Sequence, residues 1–121
     1  MSDSQKLQAL TQEFQNIQTE LSTVVEARQK LESQLSENQS VQKEFGSLGD
    51  DAKIYKLVGP VLLKQEKSEA VMGVDRRLEF INSEINRVET QLAELNAKQE
   101  KKKIEIIGLQ TQMQEAAAAA E

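Results

Sequence analysis

Ile54-Tyr55-Lys56-Leu57-Val58-Gly59-Pro60-Val61-Leu62-Leu63-Lys64-Gln65 is the one stretch of this chain that reads as strand, turn and strand, and it lies between two long heptad-patterned arms. Gly59-Pro60 suits a two-residue type II′ turn, since glycine accepts a positive φ at the first corner and proline's fixed φ fits the second. Pairing then runs Val58 to Val61, Leu57 to Leu62, Lys56 to Leu63 and Ile54 to Gln65. One face carries Ile54, Val58, Val61 and Leu63, and the other carries Tyr55, Leu57 and Leu62. An isolated two-stranded hairpin is marginal in water, and this one adds two unpaired edges and apolar side chains on both faces. The chain offers no further strand, so the partner strands are expected from other subunits, joined into a larger sheet or barrel. These seven residues are the expected assembly surface.

Outward from the hairpin, steps of three and four along the first arm pass through Leu7, Leu10, Phe14, Ile17, Leu21, Val24, Arg28, Leu31, Leu35, Asn38, Gln42 and Phe45, nine of twelve apolar. Spacing that averages 3.5 residues keeps one stripe against a partner helix along a left-handed supercoil. A helix lying on a globule would need a wider apolar stripe and a domain to cover, and little sequence remains to supply one. The second arm repeats the pattern through Val74, Leu78, Ile81, Ile85, Val88, Leu92, Leu95, Gln99, Lys102, Ile106, Leu109, Met113 and Ala116. Arms of roughly 40 residues are on the order of 60 Å long as helices, and equal lengths suit an antiparallel pair. The expected fold is mainly α: a long antiparallel two-helix coiled coil with one central β-hairpin that joins an intersubunit β-barrel. Folding back brings Phe45 near Val74 or Leu78, Leu31 near Val88, and Leu10 near Leu109 or Met113. A single domain over 1–121 is expected, with helices over 5–46 and 68–116 and the hairpin over 52–66.

The breakers agree with this plan. Four of the five glycines lie between residues 46 and 73, and the one proline is Pro60. Gly46, Ser47, Gly49, Asp50 and Asp51 are expected to end the first arm, since glycine at a helix end adopts the left-handed cap at little cost; Ser68 with Glu69 in the first turn starts the second, and Gly73 is a weak point inside it. The polar seam positions Arg28, Asn38, Gln42, Gln99 and Lys102 cost stability but set register. Lys101-Lys102-Lys103 reads most simply as a solvated face beside Glu100 and Glu105, with the Lys102 stem along the seam. A basic docking patch is the competing reading.

Composition narrows the function class. The chain has no Cys and no His, which removes disulfides, thiolate nucleophiles, imidazole bases and the usual zinc ligands. A net charge of -5 opposes attraction to phosphate backbones, so no nucleic-acid partner is expected. The N-terminus Met1-Ser2-Asp3-Ser4-Gln5 lacks a basic and then apolar leader, and no apolar run reaches the length of a membrane span, so neither secretion nor membrane insertion is expected. Asp50-Asp51 in a glycine-rich stretch reads as a turn former and not as a metal or acid-base pair. No phosphate-cradling glycine motif occurs, and Asn38-Gln39-Ser40 sits on the seam, where a glycan has no place. No catalytic residue, cofactor or metal is expected, and the chain reads as a binding machine and not an enzyme.

Specific strings then resemble a known family. Arg28-Gln29-Lys30-Leu31-Glu32 with Gln34-Leu35 and Glu37-Asn38, then Lys56-Leu57, Gly59-Pro60-Val61-Leu62 and Lys64-Gln65-Glu66, are similar to the β-type prefoldin subunits. Arg77-Leu78, Ile81, Glu84-Ile85, Arg87, Glu89 and Gln91-Leu92 continue the match, which covers roughly residues 7–113. The hairpin string is its specific part, because heptads alone match many proteins. The α-type subunits carry two hairpins and this chain has one. The alanine-rich end from Ala116 to Ala120 is outside the matched strings and is expected to fray.

The resemblance implies an ATP-independent holdase, one subunit of a cytoplasmic heterohexamer built from α-type and β-type prefoldin subunits. That complex captures unfolded proteins such as actin and tubulin and delivers them to the cytosolic chaperonin. It also implies that hairpins join into β-barrels and that clients are held at the coiled-coil tips, here Leu7, Leu10, Phe14 and Ile17 beside Ile106, Leu109 and Met113. Seam residues near helix ends have few neighbours and can open toward exposed client chains. Weak contacts from several tips add through multivalency. The alternative is a structural coiled-coil scaffold or tether that binds a folded partner, which would have no need of a two-sided apolar hairpin midway along its length.

Overall fold

A computed structural model of the chain describes residues 1–120, and the last residue of the expected 1–121 domain, Glu121, lies outside the described residues. The order of elements is α1 (Asp3–Ser47), β1 (Ile54–Val58), β2 (Val61–Gln65) and α2 (Lys67–Ala120). The expected two long helices around one antiparallel hairpin are therefore present. The chain divides into two compact units, one of Arg28–Arg87 and one of Met1–Ala27 with Val88–Glu121, the latter described through Ala120.

The unit of residues 28–87 holds the hairpin. Its core is Ala70, Val74, Leu78, Ile81 and Ile85 from α2, faced by the seam positions of α1. Antiparallel pairing of the two helical segments is recorded by cross-helix hydrogen bonds: Gln42 Nε2 donates to Asp75 Oδ1 at 2.9 Å, and Arg77 donates to Asn38 Oδ1 at 3.4 Å. Asn38 is buried and also donates to the Gln34 carbonyl at 2.7 Å, so both halves of its amide are satisfied. Gln42, expected in the seam, is exposed instead, because its amide reaches Asp75 across the edge. The seam of α2 starts one step earlier than expected, at buried Ala70.

In the unit of residues 1–27 and 88–121, Val24, Val88 and Leu95 are buried. Leu7, Leu10, Phe14, Ile17 and Leu21 are half-buried, as are Leu92, Gln99, Lys102, Ile106, Leu109 and Met113. Throughout α1 every residue that is not exposed falls on the three-four stripe read from the sequence. That coincidence is what a narrow seam against one partner helix produces. Ala116, the last expected seam position, is exposed: with Glu13 opposite Lys102, it runs past the start of α1 and has nothing to pack on.

Helix ends depart from expectation for identifiable reasons. α1 begins at Asp3 and not at residue 5, because Ser2 and Gln5 form a reciprocal capping box. The Gln5 N–H donates to Ser2 Oγ at 3.1 Å and the Ser2 N–H to Gln5 Oε1 at 3.0 Å. Gly46 lies inside the last turn of α1 and adopts no left-handed cap. The helix closes instead by a bond from the Leu48 N–H to the Phe45 carbonyl at 3.3 Å and one from Ser47 Oγ to the Glu44 carbonyl at 2.8 Å. α2 starts at Lys67, ahead of Ser68, because the Ala70 N–H already bonds the Glu66 carbonyl at 3.0 Å. At its other end helix continues to Ala120, as the high helix propensity of alanine allows.

Candidate functional site

The hairpin forms with the register read from the sequence, Ile54 to Gln65 through Val58 to Val61. Gly59 has φ 60, the one positive-φ residue among those described, and Pro60 completes the II′ corner. Cross-strand partners share a face, so Tyr55, Leu57, Leu62 and Lys64 lie on one side, and Ile54, Lys56, Val58, Val61, Leu63 and Gln65 on the other. Ile54 is half-buried and the other six proposed assembly residues are exposed. Leu57 keeps 68% and Leu62 64% of their surface open to water. The two are a direct cross-strand pair, so their exposed side chains add into one continuous apolar patch. Such a patch on a bare edge-bearing hairpin is a docking surface in waiting.

The base of the hairpin is tied down. Lys67 at the start of α2 donates to the Leu48 carbonyl at 2.8 Å and lies 3.7 Å from Asp50 Oδ1, while the Ala52 N–H bonds the Gly49 carbonyl at 3.1 Å. Asp50 thus serves the turn and its connection to α2. No group of His, Cys, Asp and Glu among the described residues could hold a metal ion.

The second candidate surface lies in the unit that contains the chain's first residues. Leu10 and Leu109 line one open groove of about 600 Å³ together with Met1, Lys6, Ala9, Glu105, Gly108 and Gln112. Ala9 and Gly108 are the reason a groove exists there, since neither carries a side chain long enough to fill it. Leu7 faces a separate groove along α1 with Ser4, Gln8 and Thr11. Phe14, Ile17, Ile106 and Met113 are half-buried along the stripe, so the expected tip set is divided between groove wall and seam. Glu105, which lines the groove, belongs to an ion-pair cluster: Lys102 Nζ lies 2.6 Å from Glu13 Oε2 and 3.6 Å from Glu105 Oε2. The hydrogen bond to Glu13, aided by the charge of Glu105, holds the Lys102 ammonium above its ordinary pKa.

Sequence reasoning missed Met1, Ala9, Gly108 and Gln112 as groove residues, and it missed Ile104 and Ile107 as exposed ones. The signal for the isoleucines was present: Ile104, Ile106 and Ile107 fall within four positions, and a seam phased on Lys102, Ile106 and Leu109 takes only Ile106.

The prefoldin subunit family model matches residues 8–113. The chain belongs to the prefoldin subunit family. Among prefoldin relatives, prefoldin subunit 6 of Mus musculus is 42% identical over 114 residues, covering 94% of this chain and 90% of the relative. Prefoldin subunit 6 of Saccharomyces cerevisiae is 48% identical over 96 residues, covering 79% of this chain and 84% of the relative. The crystal structure of the prefoldin beta subunit from Thermococcus strain KS-1 superposes with a TM-score of 0.79 at 32% identity, over 84% of this chain and 89% of that one. The β-type resemblance read from the hairpin string is borne out, and the chain is a prefoldin chaperone subunit. No helix among the described residues is long and apolar enough to cross a membrane.

Proposed function

We propose that this prefoldin subunit assembles through its hairpin with α-type and β-type prefoldin subunits into a heterohexamer, and that the complex holds unfolded proteins without nucleotide. Ile54, Tyr55, Leu57, Val58, Val61, Leu62 and Leu63 enter a β-barrel with strands of neighbouring subunits. The observation that carries this reading is the pair of apolar hairpin faces, exposed on both sides and edged by unpaired strands. A barrel satisfies the edges and buries the faces in one step.

Clients are held along the seam of Leu7, Leu10, Phe14, Ile17, Ile106, Leu109 and Met113. Support comes from their partial burial and from the groove that Leu10 and Leu109 share. The clients include actin and tubulin, the recipient is the cytosolic chaperonin, and the compartment is the cytoplasm. The chain acts by binding and release and catalyses no covalent step, and it forms a single functional domain over residues 1–121. Native mass spectrometry of the chain, alone and co-expressed with candidate prefoldin subunits, tests the assembly. A species of six subunits is expected, and a bare dimer under all pairings would refute it.

A further inference from the structure

The face of α2 opposite the seam carries two large aliphatic side chains that the coiled coil does not use. Ile104 keeps 62% and Ile107 52% of their surface exposed, while their neighbours Lys102, Ile106 and Leu109 are half-buried toward α1. Lys101 stands three residues before Ile104 and Lys103 four before Ile107, the spacings at which helical side chains are neighbours. At 100° per residue the two lysines flank the isoleucines from opposite sides of the stripe.

Charge distinguishes this face from an ordinary solvated one. The chain carries a net charge of -5, yet four lysines and two glutamates lie between residues 98 and 105, and of these Lys101, Lys103 and Glu100 lie on this face while Lys102 and Glu105 lie toward the seam. Lys102 is engaged by Glu13 and Glu105, whereas among the described residues neither Lys101 nor Lys103 has an ion-pair partner. Glu100, one turn before Ile104, is the nearest carboxylate on this face. We propose that Ile104 and Ile107, bracketed by Lys101 and Lys103, form a docking surface for a short acidic segment of a partner protein. The segment would set one or two apolar side chains on the isoleucines and carboxylates against the lysines. A membrane surface fits less well, since lipid binding by a helix needs a broad apolar face, and this one is two residues wide. The surface uses neither the seam nor the hairpin, so it stands apart from the client-binding reading.

The test uses the full chain and a fluorescein-labelled peptide with glutamates surrounding two leucines, read by anisotropy. K101E/K103E and I104S/I107S are each expected to weaken binding by about tenfold, with helix content by circular dichroism unchanged. A matched peptide with glutamine for glutamate is expected to bind more weakly, and added salt to weaken the parent complex. A variant of either pair that binds the acidic peptide as tightly as the parent, or equal affinity of the parent for the acidic and glutamine peptides, would overturn the proposal. Binding to phosphatidylserine vesicles with none to the peptide would do the same and assign the face to lipid.

Discussion

Replacing Leu57 and Leu62 together by serine removes the largest exposed apolar pair of the hairpin while leaving both helices untouched. A leucine side chain contributes roughly 1.5–3 kcal/mol when fully transferred from water to an apolar interior. With 68% and 64% of their surface still available, the two offer about two-thirds of that each, or about 3 kcal/mol together. Because the monomer already exposes them, that loss falls on assembly and not on the folding of the chain. It corresponds to a weakening of about a hundredfold at each barrel contact that buries the pair. The chain would be mixed with its partner subunits and weighed by native mass spectrometry across a dilution series, with far-UV circular dichroism as the fold control. The expected result is loss of the hexamer at concentrations where the parent is fully assembled, with helix content retained. A hexamer that survives the same dilution as the parent would refute the hairpin as the assembly element.

Gly59→Ala places a side chain at φ 60, where an L-residue is strained, and should destabilise the hairpin by about 1–3 kcal/mol; faster amide exchange across Ile54–Gln65 checks it, and unchanged exchange would count against the II′ turn. Ile81→Ala opens a cavity in the buried seam and should cost about 2–5 kcal/mol, read as a lower thermal midpoint, whereas Ile104→Ala on the exposed face should shift it by less than about 0.5 kcal/mol. Replacing Leu7, Leu10, Ile106 and Leu109 by serine should weaken suppression of client aggregation while the hexamer keeps its mass, and undiminished holdase activity in that assembly would sink the client-binding assignment. The Lys102 ammonium is held above its ordinary 10.5 by Glu13, so its stabilising pair is complete below that value and is lost only as pH rises through the higher folded-state value. Thermal melts from neutral to strongly alkaline pH should therefore fall less steeply for Lys102→Met than for the parent, and parallel curves would show that the pair contributes nothing.

Periodicity and turn chemistry made most of the fold legible, because both report backbone geometry that a few residue types enforce. The stripe from Leu7 to Phe45 matched the buried face of α1 apart from Gln42, and Gly59-Pro60 set the register of every strand pair. What stayed hidden depends on side-chain reach and on what a seam leaves out. Gln42 fits the heptad arithmetic but has an amide long enough to meet Asp75 outside it. Ser2 and Gln5 extend α1 by a pairing of two side chains with two N–H groups that no apolar pattern announces. Ala9 and Gly108 create a groove through the side chain they lack, an absence that carries no periodic signal. Ile104 and Ile107 are the reverse case, apolar residues at positions the seam cannot use. A heptad repeat specifies one face of a helix and leaves the others free to evolve contacts of their own. Apolar residues that break the repeat are therefore where partner surfaces should be sought in a long two-helix chain. The same logic separates the two hairpin faces from the arms: the seam is satisfied within each unit, whereas Leu57 and Leu62 are paired across the strands with each other and still keep about two-thirds of their surface open to water.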